Sequence, residues 1–406
     1  MLWAAPAGDL RRGVDLLDDL TVVVACDVPT AVAERLAAAH AEHDAVRPHD
    51  RRVDIRIVVN RTPVDVVCVA PDAAASTLLR LTGSPTHVAQ LHERASTRGV
   101  RLDAASTAAE AVRGPVAAET ALYTALGLPF IPPELRDDAH AVDAASVDAL
   151  PALVDLDAIR GDLHCHTHYS DGRDSIDAMA RAAVALGYQY LAITDHSPSS
   201  AAVRNLSVDT LARQTDEIAA VRETLPQLTI FHGCEVDILE DGSLDFPDRL
   251  LERIDLVLAS LHDDCGHPPD VLMQRYTRAM AHPLVTLVTH PMNRLVPYDP
   301  GYALDYARLF DEAARTGTWL EIDGAPSHLD LPSALARKAV AAGVTLCIDS
   351  DCHRAEQLGR QMQMGVLLAR RAWVEPRHVA NTRSVEALRQ ALRAKRDGRM
   401  PFGPAC

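Results

Sequence analysis

Gly161-Asp162-Leu163-His164-Cys165-His166 opens the half of the chain whose pattern decides the fold. Side chains alternate faces along an extended strand, so His164 and His166 point the same way and bring two imidazoles to one spot. The arrangement then returns. Tyr190-Leu191-Ala192-Ile193-Thr194 ends in Asp195-His196, Leu228-Thr229-Ile230-Phe231 runs on to Glu235, and Leu256-Val257-Leu258-Ala259 ends in His262. Leu284-Val285-Thr286-Leu287-Val288 ends in His290, and Val344-Thr345-Leu346-Cys347-Ile348 ends in Asp351-Cys352-His353. One more strand, around Trp319-Leu320, finishes instead in Glu321-Ile322-Asp323. Helical segments lie between: Ser175 caps one that stops at Gly187, Ser207 opens a longer one ending near Pro226, and Gly317 and Gly343 close two others. Strand and helix in alternation, with polar residues at the strand ends, predict a parallel α/β barrel whose active site lies at the C-terminal mouth. Seven strands can be counted, one fewer than the common barrel.

With Asp171 the pattern comprises nine residues: His164, His166, Asp171, His196, Glu235, His262, His290, Asp351 and His353. A lone His-x-His is more often a structural or solvated pair than a metal site. Nine such groups in register are another matter. Imidazole and carboxylate together suit zinc, manganese or iron, and nine ligands exceed what one ion can use, so two or three divalent ions are expected. Three ions against three carboxylates leave a formal charge of about +3, which favours a phosphate. A hydroxide held between two such ions is a strong nucleophile near neutral pH, so no Ser or Cys nucleophile is needed. Arg173, Arg204, Arg294 and Arg354 lie on loops after the ligand-bearing strands and are candidates to grip a phosphate, although each also fits an ordinary solvated surface arginine. His168 continues the His164 and His166 face, but the strand ends about there, and it reads as a bystander or supporting group.

These residues carry a family resemblance. His164-Cys165-His166 with Ser170-Asp171-Gly172, Thr194-Asp195-His196-Ser197-Pro198, Glu235-Val236-Asp237-Ile238, His262, His290-Pro291 and Asp351-Cys352-His353 resemble the PHP (polymerase and histidinol phosphatase) domain over about residues 155–396. The resemblance implies a distorted seven-stranded (β/α) barrel with a trinuclear site. It further implies that His164, His166, Glu235 and Asp351 hold one ion, Glu235, His262 and His290 a second, and Asp171, His196 and His353 a third.

The first 135 residues resemble the palm and thumb of bacterial family X DNA polymerases, a smaller α+β region. Ala7-Gly8-Asp9-Leu10-Arg11-Arg12-Gly13, Asp18-Asp19-Leu20-Thr21, Val64-Asp65-Val66, Thr82-Gly83-Ser84 and the run from Tyr123 to Arg136 carry this likeness. In that family a PHP domain follows the polymerase, as here. Such polymerases need three aspartates to hold two magnesium ions. Asp19 and Asp65 stand at two of those positions, but Thr21 holds the third. Asp9 replaces a serine that would contact the incoming triphosphate, Arg80-Leu81 replaces an aromatic pair, and the amino-terminal helix-hairpin-helix region is absent from this chain. The resemblance therefore implies a degenerate polymerase region whose activity is lost, leaving a scaffold, dimerisation surface or substrate lid. The expected division is residues 1–135, a linker rich in Asp and Ala at 136–158, and the PHP domain at 159–406.

Composition bears on partners and setting. The chain has 406 residues, enough for two domains with proper cores, and its eight cysteines lack CxxC spacing, so reduced thiols in a cytoplasmic enzyme are expected. No signal peptide or membrane-length apolar run is read. A net charge of −16 is unlike proteins that hold DNA through many phosphate contacts. Three functions compete: a metal-dependent phosphatase acting on small phosphomonoesters, DNA 3′-end processing as an exonuclease or phosphodiesterase, and a catalytically silent metal-binding scaffold. Retention of all nine residues argues against the last. The oligomeric state is left open.

Overall fold

The computed structural model describes residues 1–104, 108–200, 204–262 and 267–398. The chain divides into two compact units, residues 1–151 and 152–406.

In the first unit, five strands form a mixed sheet in the order β1-β2-β5-β4-β3: β1 (Trp3–Ala7), β2 (Thr21–Ala25), β3 (Arg47–Pro48), β4 (Arg52–Val59) and β5 (Thr62–Val69). Alternation is visible in β4, where Val53, Ile55 and Ile57 are buried against Cys68 and Val24. Helices Pro71–Thr82, Pro85–Arg98 and Pro115–Ala125 follow, each with proline in its first turn, where the missing N–H costs no hydrogen bond. A fully buried ion pair ties these parts together. Arg136 donates to both Glu119 oxygens at 2.7 and 3.1 Å and lies against the rings of Tyr123 and Phe130, and Arg11 reaches the same carboxylate at 2.6 Å.

The segment expected as a linker is more structured than its Asp/Ala-rich composition suggests. Its first part contains the buried Arg136 and a helix, Ala141–Ser146, with Ala141, Val142 and Ala145 buried at helical spacing along one face. The boundary between the units falls at 151/152, inside the segment 136–158.

The second unit is a seven-stranded parallel sheet in strict chain order: β6 (Gly161–Asp162), β7 (Tyr190–Ile193), β8 (Thr229–Asp237), β9 (Leu256–Ser260), β10 (Val285–Val288), β11 (Trp319–Asp323) and β12 (Leu346–Asp349). It nearly closes on itself. A parallel bridge joins Cys165 to Cys352, and the His166 N–H donates to the Cys352 carbonyl at 2.9 Å. Inward and outward residues alternate as a barrel requires. Tyr190, Ala192, Leu256, Leu258, Trp319 and Cys347 fill the interior with Phe231, while Val257, Ala259, Leu320 and Ile348 face the surrounding helices. The last helix, Val385–Arg396, closes the lower end with Leu388, Ala391 and Leu392. Above this apolar floor, the inward series continues as Phe231, Gly233, Glu235 on β8 and Trp319, Glu321, Asp323 on β11, so the pleat itself carries acids into the upper barrel. No helix among the described residues is long and apolar enough to cross a membrane.

Candidate metal centre

All nine residues of the sequence pattern converge at the C-terminal ends of the strands. Glu235 is the hub, fully buried within β8. Its Oε2 lies 3.4 Å from His164 Nε2, 3.6 Å from His166 Nε2 and 2.9 Å from His196 Nδ1, while Oε1 lies 3.3 Å from His262 Nε2 and 2.9 Å from His290 Nε2. Asp351 Oδ1 stands 3.5 and 3.0 Å from the Nε2 atoms of His164 and His166, which are themselves 3.1 Å apart. Asp171 Oδ1 faces His196 Nε2 at 3.6 Å and His353 Nε2 at 3.2 Å.

These spacings suit a metal. Nitrogen and oxygen atoms bound tetrahedrally to a zinc-type ion at roughly 2.0–2.1 Å stand about 3.3–3.4 Å from one another. Three groups drawn from the nine come within ligating reach of that kind: His164, His166 and Asp351; His196, Glu235 and His262; and His166, Asp171, His196 and His353. Two buried atoms add a second argument. Glu235 Oε2 and His196 Nδ1 face each other at 2.9 Å, yet neither has a hydrogen-bond partner, an arrangement that is costly unless a cation lies beside them. His196 therefore reaches Glu235 as well as Asp171, although the family resemblance implies a place for it only beside Asp171 and His353.

The electrostatics carry the same demand for positive charge. Burial opposes the Glu235 carboxylate, but the His196, His164 and His262 imidazoles outweigh it and hold its carboxyl well below the usual range. Burial likewise lowers His262 and His353, but Glu235 and Asp237 lift the first, and Asp351 and Asp171 the second, to about 9. Burial pushes His166 the other way, together with its neighbours His353 and His196, to about 4.

Sequence reasoning left several supporting residues without a role. Glu321 accepts from His164 Nδ1 at 2.7 Å and from the His290 N–H at 2.6 Å, and Asp237 accepts from His262 Nδ1 at 2.8 Å. Each carboxylate fixes a ring so that Nε2 presents its lone pair to the centre. Replacing Glu321 by Gln is expected to weaken metal affinity about 10–100-fold, measured by competition with a chelator, with the fold retained by circular dichroism. Asp195 is a third such residue. It accepts from the Thr167 and Ser170 N–H groups, both their hydroxyls and Gln214 Nε2, and so anchors the loop that delivers Asp171. Gly172 seats that loop, because a Cβ there would come within 2.5 Å of the His166 carbonyl carbon. His328, on the loop after β11, groups with Asp323 and Asp351 and stacks on His290. The available signal was the strand end Glu321-Ile322-Asp323, which obeys the rule of polar residues at the mouth.

Two of the nine positions are held in backbone conformations unusual for their residue types: His290 at φ 24° and Asp351 at φ 47°. Left-handed conformations at non-glycine residues persist where surrounding structure imposes them, commonly at functional sites.

The four candidate phosphate-gripping arginines differ in setting. Arg294 donates to the Leu329 carbonyl, Arg354 faces Glu356 at 3.7 Å, and Arg173 and Arg204 are exposed. His168 lies 4.0 Å from Glu217, away from the nine.

In the first unit, Asp65 gives both oxygens to Arg56 at 2.7 and 2.6 Å. Its partner across the parallel β2–β5 pair is Thr21, so no carboxylate stands there. Every residue group within metal-ligating reach lies in the second unit, among the described residues.

A parallel barrel with histidines and carboxylates converging at its mouth makes the second unit a PHP domain of the metal-dependent phosphoesterase class, and the PHP domain family matches residues 162–308. The DNA polymerase beta thumb family matches residues 77–137. The chain is 35% identical to the DNA polymerase/3′-5′ exonuclease PolX of Bacillus subtilis over 390 residues, 95% of this chain and 68% of that protein. It therefore belongs to the PolX family. A probable phosphatase of Syntrophotalea carbinolica is 38% identical over 168 residues, 40% of this chain and 64% of its own length. Among solved structures, a histidinol phosphate phosphatase from Lactococcus lactis, complexed with zinc, L-histidinol and phosphate, aligns with 52% of this chain and 93% of its own at 16% identity and a TM-score of 0.40.

Proposed function

We propose that the chain hydrolyses phosphate esters with divalent ions, zinc, manganese or iron, at least two of them held by the nine residues in a site with room for three, and that small phosphomonoesters are its principal substrates. The observation that carries the reading is Glu235, whose two oxygens face five imidazoles at 2.9–3.6 Å and leave a buried oxygen without a hydrogen-bond partner. When bound, such ions activate water and neutralise charge developing on the phosphoryl oxygens. The chain's own residues supply the positioning. Glu321 and Asp237 orient His164 and His262, and Asp195 holds the loop bearing Asp171, so the ligands are set before substrate arrives. The exposed Arg173 and Arg204 are proposed to meet the phosphate, with Arg294 and Arg354 engaged elsewhere. The net charge of −16 speaks against a long phosphate-backbone footprint. Polymerase activity is proposed to be lost, since Arg56 occupies Asp65 and Thr21 stands where a third carboxylate is needed.

One observation favours a second reading, DNA 3′-end processing: the Bacillus subtilis relative, similar along both units, is a 3′-5′ exonuclease. Manganese-loaded protein should be given, side by side, a nitrophenyl phosphate, a nitrophenyl phosphodiester and a labelled DNA 3′ end. Preferential turnover of the monoester is expected. Hydrolysis of DNA alone would sink the small-molecule reading, and no hydrolysis of any of the three would sink the enzymatic one.

A further inference from the structure

The lower end of the barrel, opposite the metal centre, holds a cavity of about 620 Å³ walled by the starts of β8 and β9, the end of the helix Val208–Thr224 and the last helix. Five arginines line it: Arg222, Arg253, Arg389, Arg393 and Arg396, against two acids, Glu252 and Asp255. In a chain with 16 more formal negative charges than positive, a pocket left with three positive charges is out of character.

Structural duties account for only part of this set. Arg222 donates to the Ile230 carbonyl and pairs with Asp255 at 3.2 Å, and Arg396 donates to the carbonyls of Glu252 and Ile254. The helix macrodipole favours cations in the last helical turn, which explains Arg393 and Arg396 as helix residues. It does not explain Arg253, which faces them from another element. Arg389 and Arg393 stand four apart, and Arg393 and Arg396 three apart, spacings at which like charges on a helix repel. Arg253, Arg389 and Arg393 are exposed, and the guanidinium groups of Arg253 and Arg393 have neither an ion pair nor a hydrogen bond among the described residues. Leu228, Phe231, Ile254 and Leu392 give the cavity an apolar floor, with Arg389 lying 5.9 Å over the Phe231 ring.

We propose that this cavity is a binding site for a small ligand carrying a chain of two or more phosphates, such as a nucleoside triphosphate or inorganic triphosphate. A single phosphate neither fills the volume, which is within the range of about 300–1,000 Å³ for ligand pockets, nor balances the charge. The site is separate from the metal centre: Thr229, on the cavity wall, and Glu235 are six residues apart on β8, about 20 Å at roughly 3.3 Å per residue.

The test is calorimetric titration of the full-length chain in a His262→Ala background, which silences turnover, with inorganic triphosphate and ATP in separate arms. Saturable binding of one ligand per chain is expected, weakened at least about tenfold by Arg393→Glu and by Arg253→Glu. The neutral Arg393→Gln is expected to fall between. ATP binding more tightly than triphosphate would identify the ligand as a nucleotide, and equal affinities an inorganic phosphate chain; both support the site. Absence of binding at millimolar concentration of either, or binding indifferent to the arginine substitutions, would overturn it. So would an arginine-dependent interaction with a single-stranded oligonucleotide that neither small ligand reproduces.

Discussion

Glu235→Gln is expected to bring phosphoesterase activity to the assay floor and to strip the protein of most of its bound metal. The substitution keeps the shape of the side chain and removes its charge at the one residue that both clusters around His164 and around His262 share. Without the carboxylate, His164, His196 and His262 lose the partner that most raises two of them, and an ion placed among them loses its shared anionic ligand. The loss should exceed that of Glu321→Gln, whose carboxylate acts only through the His164 ring and the His290 backbone and is worth about 10–100-fold. Elemental analysis of the purified variant, with activity on a nitrophenyl phosphate, measures both quantities. A variant that retained full metal content and turnover would refute the role of Glu235 as the hub.

The convergence of these side chains was legible in the sequence because His, Asp and Glu are few among apolar strands and because a parallel barrel presents its strand ends at one mouth. Those two constraints place His164, His166, His196, His262 and His290 without any coordinates. They do not place Glu321, Asp237 or Asp195, whose carboxylates touch imidazoles and loop amides and are marked by no spacing of their own. The apolar run Leu228-Thr229-Ile230-Phe231 stops short of Glu235, whereas β8 runs through it to Asp237. A glycine at 233 and charged inward positions break the apolar run that ordinarily signals a buried strand. In the first unit, short motifs such as Thr82-Gly83-Ser84 and the run ending in Arg136 were legible as likeness, but their physical content is a long-range one. Arg11 and Arg12 donate to Thr82, and Ser84 Oγ donates to the Arg136 carbonyl at 2.7 Å, contacts that join residues far apart in sequence.

That cluster sets the other large expected effect. Glu119→Ala should destabilise the first unit by about 3–5 kcal/mol, the range for removing one partner of a buried ion pair. It would leave Arg136, which has no exposed surface, with the Ile131 carbonyl, two aromatic rings and the weaker pull of Glu134 for its charge. Arg136→Met belongs at the lower end of that range, because Arg11 remains 2.6 Å from Glu119 and still compensates it. The pair also makes stability depend on pH in a definite direction. Burial raises the Glu119 carboxyl, but Arg136 and Arg11 outweigh it and hold it below its ordinary 4.5, so its contribution is complete above that pH and fades as acid protonates it. His87, hydrogen-bonded to Tyr123 at 2.8 Å, is pushed down to about 3 by burial and by Arg136. Below its ordinary 6.5 the unfolded chain binds a proton that the folded one refuses, so this group too withdraws stability as pH falls from 6.5 toward 3. Hydrogen exchange of peptides from Pro85–Arg98 and Pro115–Ala125 measures both effects within the intact chain. Protection should fall between pH 6.5 and 3 in the wild type, and His87→Gln should flatten the upper part of that decline. Unchanged protection in Glu119→Ala would mean that the buried pair contributes nothing to holding the unit together.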